Sequence, residues 1–255
     1  MFTSTLIAVL ALFFLLWVAS LLLRDASIVD RFWGLAFLVI ASAARTFSDG
    51  FDGRACLALA LTAVWGIRLS IHITARNLGH GEDYRYRAMR RYWGAKFPLV
   101  SLVTVFGLQA LLAWIVSLPT QAAISAQSPD HFTLLDAAGL LTWIVGFAFE
   151  TLGDWQLRRF KSDPASKGRT MDRGLWRYTR HPNYFGDALL WWGLWLLAGS
   201  TGAWWTAVGP ALMTFLLVRV SGVSLLEVQL RKNKPDYEAY CSRTSAFLPR
   251  PPRTG

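Results

Sequence analysis

Long stretches without a charged side chain recur along this chain at close to bilayer length, and this recurrence constrains its fold more than any motif does. A membrane-crossing helix needs about 20 mostly apolar residues, because hydrocarbon offers no partner for an unpaired backbone polar group. Thr5 to Leu23, Phe32 to about Thr46, Ala55 to about Ala75, Pro98 to Pro119 and Leu134 to Gly153 are five such stretches. The second is short and needs tilt or help from its flanks. The third carries Arg68 and His72 in its last turns, where an arginine can reach toward the headgroups. Between Asp187 and Arg219 lie 31 more uncharged residues, and Gly199-Ser200-Thr201-Gly202 divides them into a sixth span and a seventh reaching about Leu226. The expected fold is all-α: one polytopic membrane domain over residues 1–255 with about seven transmembrane helices.

The charges test that count separately. Only 16% of the 255 residues are charged, against about 25% in soluble domains. Of the 26 Lys and Arg, 20 fall between Arg76 and Lys96, between Arg158 and Arg180, or from Arg231 onward, which are the exits of spans three, five and seven. The connections after spans four and six have none. By the positive-inside rule the N-terminus lies outside and the C-terminus in the cytoplasm, as in a bacterial inner-membrane protein. A basic inner face also accounts for most of the net charge of +10, so no nucleic-acid partner is needed; membrane lipids are the expected surroundings. Phe2 to Leu23 has no small-residue cleavage site and is expected to remain as the first helix.

Gly139, Gly146 and Gly153 recur every seven residues on span five, and Gly186 and Gly193 do the same on span six. Backbones can therefore approach closely along those faces. Cys56 and Cys241 show no metal spacing, no histidine pair sits at ligand spacing, and Gly79-His80-Gly81 is no dinucleotide fingerprint. No metal is expected. The tail from Arg231 reads as a short surface helix holding Tyr237 and Tyr240, closed by prolines.

Two polar constellations stand out on residue chemistry alone. Glu150, Asp154 and Arg158 are four apart, so one helical face carries two carboxylates and then a guanidinium. That face is either an ion pair ending a helix or a site where acids bond ribose hydroxyls while Arg158, Arg159 and Lys161 face a phosphate. Arg177 to Leu190 sets Arg177, Arg180 and His181 before Pro182, which suits the first turn of a helix. A helix entrance flanked by arginines attracts anions, although topogenic arginines and a simple Asn183 cap would look the same.

Gly174-Leu175-Trp176, Arg180-His181-Pro182-Asn183-Tyr184-x-Gly186-Asp187, Glu227 and Pro235-x-Tyr237-x-x-Tyr240 together resemble the C-terminal region of the membrane steroid 5-alpha-reductase superfamily. Val29-Asp30-Arg31-Phe32-Trp33-Gly34, Trp65-Gly66-Ile67-Arg68-Leu69 and Gly81 to Tyr86 extend the resemblance upstream, closest to the bacterial steroid-reductase-like (DUF1295-type) branch. Isoprenylcysteine and phospholipid methyltransferases share the basic-His-Pro-x-Tyr-x-Gly element, whereas Asn183 with Asp187 favours the reductases. The resemblance implies a seven-helix oxidoreductase binding NADPH through Asp154, Arg158, Tyr178, Arg180, His181, Asn183, Tyr184, Asp187, Glu227 and Tyr237, with Lys161 added by the phosphate reading of the basic cluster above. Helices 1–3, within residues 1–96, would serve the substrate, and residues 97–255 the cofactor. The Gln-Glu pair that steroid reductases carry in an early helix is absent.

Reducing a double bond conjugated to a carbonyl needs hydride at the β carbon and a hydrogen-bond donor at the oxygen. Tyr84, Glu82 and Asp30 are the candidates for that catalytic role, beside Tyr86 and Asp83; a solvated loop with Asp83 paired to Arg85 or Arg87 is the structural alternative. The expected activity is hydride transfer from NADPH to a C=C bond of a lipophilic enone, steroid-like or isoprenoid substrate entering from the bilayer. An S-adenosylmethionine-dependent methyltransferase is the enzymatic rival, and a membrane scaffold or transporter the non-enzymatic one.

Overall fold

The structure, a computed structural model, describes residues 1–220, 227 and 230–253. Among these the chain is all-helical, with one isolated parallel bridge, Thr179 to Ser245, and no named strand. The helices are α1 (Phe2–Leu23), α2 (Ile28–Thr46), α3 (Asp52–Asn77), α4 (Tyr84–Val116), α5 (Leu118–Ser125), α6 (Leu134–Ser162), α7 (Pro182–Gly199), α8 (Trp204–Val220) and α9 (Tyr237–Arg243). The expected end of the seventh span, residues 221–226, lies outside the described residues.

Four of these helices, α1, α3, α4 and α6, are long and apolar enough to cross a membrane, which fits an integral membrane protein. Their exposed surfaces agree: α1 buries Val9, Phe13 and Leu16 while presenting Ile7, Leu15 and Leu22 outward, the pattern of a helix with one face in protein and one in lipid. Helix polarity follows charge. Asp30, Asp52 and Asp136 lie in the first turns of α2, α3 and α6, and Arg45, Arg76 and Arg159 in the last turns, as the helix dipole favours.

Two boundaries differ from expectation for local reasons. The basic segment before span four, expected as a charged loop, is helical from Tyr84, because Asp83 caps it by accepting from the Arg85 amide at 2.9 Å. That helix passes through a π segment at Leu102–Gly107 and ends at Val116. Pro119, expected to close the span, sits instead in the first turn of α5, where its missing N–H costs nothing.

The chain forms two compact units, Met1–Thr133 with Leu197–Thr206, and Leu134–Leu196 with Ala207–Gly255. In the first, α2 and α3 touch backbone to backbone: a Cβ on Gly34 would overlap the Gly66 carbonyl, and one on Gly66 that of Gly34. A buried polar network joins α1 to the α4–α5 corner, with Thr5 donating to Gln121 Oε1 at 2.6 Å and Gln121 Nε2 donating to Ser117 Oγ at 2.9 Å. In the second, the glycine stripes of α6 and α7 face each other. A Cβ on Gly146 would sit 2.5 Å from the Leu190 nitrogen, and one on Gly193 2.7 Å from the Gly139 carbonyl oxygen. The close approach inferred from the seven-residue spacing is thus realised between these two helices.

Candidate functional site

The second unit collects every residue of the candidate cofactor site. Glu150 and Asp154 are buried on α6, at 3% and 7% exposure, whereas Arg158 one turn later is exposed. Gly153 lies between them, and its lack of a side chain lets the start of α7 come close: a Cβ there would be 3.1 Å from the Asn183 nitrogen. Helix α7 begins at Pro182, where the proline predicts it, and Asn183 Nδ2 donates to Asp154 Oδ1 at 3.0 Å. Asn183 Oδ1 is buried and has no hydrogen-bond partner. An unsatisfied buried acceptor costs about 1–3 kcal/mol, so this oxygen is suited to receive a donor from a bound molecule. Asp187, one turn further, is also buried.

The preceding loop is held from both sides. Trp176 donates from Nε1 to the Gly153 carbonyl at 3.1 Å, and the Leu175 amide donates to Gln156 Oε1 at 3.0 Å. The C-terminal tail clasps the other side: the Arg180 amide donates to the Ser245 carbonyl at 2.9 Å, Thr179 Oγ1 to the Phe247 carbonyl at 2.8 Å, and Tyr240 Oη to the Trp176 carbonyl at 2.5 Å. Tyr237 is buried beside this clasp, and Tyr178 is exposed.

Arg180 has a structural engagement that its sequence position did not suggest. Its Nε donates to Glu227 Oε1 at 2.8 Å, and Nη1 donates to the carbonyls of Cys241 and Thr244 at 3.1 and 3.0 Å. This guanidinium therefore ties α7's entrance to the tail, and a phosphate would have to compete with three existing acceptors. His181 Nε2 lies 3.4 Å from the same Glu227 oxygen, and its ring stacks on Tyr184. Burial pushes the Glu227 carboxyl up, but the His181 hydrogen bond and the Arg180 charge outweigh it and hold the group below the usual carboxylate range. The exposed cations Arg158 and Lys161 lie at the C-terminal end of α6.

The first unit holds the residues considered for the substrate side. Tyr84 is 57% exposed, whereas Tyr86 is buried and donates to Asp30 Oδ1 at 2.7 Å. Arg85 occupies the other Asp30 oxygen at 2.7 Å, and Gln109 Nε2 donates to the Tyr86 hydroxyl at 3.3 Å. Glu82 serves the backbone: its Oε1 accepts from the Ala26 amide at 2.8 Å, and Arg90 spans both its oxygens. Asp83 pairs with Arg85 at 3.0 Å, as the structural alternative anticipated. Arg85 holds the Asp83 carboxyl below its usual range, overcoming the opposing effect of burial. Tyr86, named beside Tyr84 in the sequence, is the phenol that reaches Asp30, and Gln109, which the sequence did not single out, joins it. The apolar face of α4 carried back from Phe97 in helical steps reaches Tyr86, not Tyr84, and that period was the available signal.

Comparison with known proteins gives these residues a family. The chain matches the family described as "Protein of unknown function (DUF1295)" over residues 16–244 and belongs to it. It is also similar to an uncharacterized protein of the fission yeast Schizosaccharomyces pombe, at 26% identity across 92% of this chain and 76% of that protein. No solved structure matches.

Proposed function

We propose that this DUF1295 family member is a seven-span membrane reductase, N-terminus outside and C-terminus cytoplasmic, that uses NADPH to reduce a C=C bond of a lipophilic enone, steroid-like or isoprenoid substrate. The observation that carries the reading is the Asp154–Asn183 pair, with the unpartnered Asn183 oxygen buried beside it. Side chains of this kind suit a ligand rich in hydroxyl and amide groups, and the matching motif elements resemble those of steroid 5-alpha-reductases. The residues fit a dinucleotide in part: Asp154, Asn183 and Asp187 offer buried polar atoms, and Arg158 and Lys161 offer exposed positive charge. Arg180, His181, Glu227 and Tyr237 shape that surface, Arg180 by anchoring the tail.

NADPH would supply the hydride. In this reading Asn183 and Asp154 orient the cofactor, and Tyr184 keeps His181 in place by stacking. Among Tyr84, Glu82 and Asp30, the first unit's candidates for the donor to a substrate oxygen, Asp30 acts through Tyr86, whose phenol it holds. Calorimetric titration of the detergent-purified chain with NADPH and with S-adenosylmethionine tests the reading. Saturable NADPH binding without S-adenosylmethionine binding is the expected outcome, and the reverse would assign a methyltransferase.

A further inference from the structure

The second unit contains a concavity of about 400 Å³ where α6 ends, lined in part by Phe160, Lys161, Asp163, Lys167, Arg169 and Lys234. Its cations come from three places: the last turn of α6, the loop that follows, and a lysine 65 residues beyond Arg169. The fold places Lys234 there deliberately. Its ammonium donates to the Arg169 carbonyl and lies 6.0 Å over the Phe160 ring. Two carboxylates accompany the cations, Asp163 in the lining itself and Asp236 beside Lys234. Asp163 accepts from the Ala165 amide at 2.9 Å, and Asp236 accepts from the amide and hydroxyl of Thr170 at 2.9 and 2.6 Å. Among the described residues, Lys167 and Arg169 form no ion pair with a carboxylate.

Four cations set against the two carboxylates leave the concavity net positive, which attracts an anion. Burial holds the Lys234 ammonium below the usual lysine range; the Asp236 charge opposes this, and Lys161 adds a smaller repulsion. We propose that this concavity binds a phosphate monoester through Lys161, Lys167, Arg169 and Lys234. The apolar edge at Phe160 and the size of the cavity leave room for part of the molecule that carries the phosphate. Two sources share this chemistry: the 2′-phosphate of NADPH and the headgroup of phosphatidic acid. In its nucleotide form the inference rests on the cofactor reading above; in its lipid form it does not.

The test titrates NADPH, NADH and dioctanoyl phosphatidic acid into the full chain in detergent, as wild type, as Lys167→Gln/Arg169→Gln and as Lys234→Gln. The double variant changes only exposed side chains, so it reports binding even if Lys234→Gln perturbs folding. If the phosphate is the nucleotide's, wild type prefers NADPH over NADH by about tenfold, the worth of one or two charge-assisted hydrogen bonds, and the variants lose that preference with NADH unchanged. If it is a lipid's, phosphatidic acid binding weakens about tenfold in the variants and neither dinucleotide responds. Substitutions that weaken no phosphate-bearing probe overturn the proposal. Equal NADPH and NADH binding with no lipid response sinks the pocket but leaves the cofactor reading intact. Lipid binding that depends on these cations, with no dinucleotide binding, does the opposite.

Discussion

Asn183 at the start of α7 donates to Asp154 on α6 at 3.0 Å, across a gap that Gly153 keeps narrow. Both residues are expected to act on the same ligand, so their effects should not add. Asn183→Ala and Asp154→Ala should each weaken NADPH binding by about tenfold, and the double variant by less than the product, a coupling of about 1 kcal/mol. Binding titrations of the four proteins measure it. Independent, additive losses would mean the two residues do not share a ligand.

Arg180 and Glu227 make a second kind of claim, about stability. With side-chain exposures of 10% and 16%, this pair is largely buried and carries the tail through the Cys241 and Thr244 carbonyls. Glu227→Ala should cost about 3 kcal/mol, chiefly by leaving the guanidinium without its charge partner. The pH dependence follows in sign. Glu227 has a lowered pKa in the folded protein, so its contribution is fully present above the ordinary carboxylate value near 4.5 and is lost as pH falls through the lower folded value. Thermal unfolding in detergent from pH 7 to pH 3 should show a decline at the acidic end that is shallower in Glu227→Gln.

The glycine interface between α6 and α7 predicts a steric result. Gly146→Ala places a methyl 2.5 Å from the Leu190 nitrogen and 2.7 Å from the Gly186 carbonyl oxygen, so the helices must separate. The expected cost is about 2 kcal/mol or more, read as a lowered melting temperature. Ala in place of the neighbouring exposed Val145 should cost far less.

Tyr86 and Tyr84 separate burial from proximity in sequence. If the donor reading is right, Tyr86→Phe lowers turnover by about a hundredfold while nucleotide binding is retained. Tyr84→Phe, at an exposed position, should leave both within about twofold. Equal effects of the two substitutions would remove Tyr86 from the chemistry.

Much of this was legible in the sequence because it rests on local rules. The seven-residue glycine spacing foretold the α6–α7 contact, Pro182 marked the start of α7, and the Glu150–Asp154 spacing placed both acids on one face. What was not legible depends on distant partners. Arg180 bonds carbonyls 61 and 64 residues away, and a backbone carbonyl carries no sequence signature. The same holds for Glu82, whose oxygen serves the Ala26 amide 56 residues earlier. The helical start at Tyr84 was hidden because a run rich in arginine reads as solvated loop until Asp83 is recognised as its cap.

The central claim is that the second unit holds a nicotinamide cofactor at the Asp154–Asn183 pair. Fluorescence titration of the detergent-purified wild-type chain with NADPH, alongside Asn183→Ala, tests it most directly. The account predicts saturable binding with a dissociation constant of about 10 μM or tighter, near −7 kcal/mol or better, weakened about tenfold in the variant. No saturable binding of NADPH or NADH by the folded wild type, or equal binding by the variant, would contradict it.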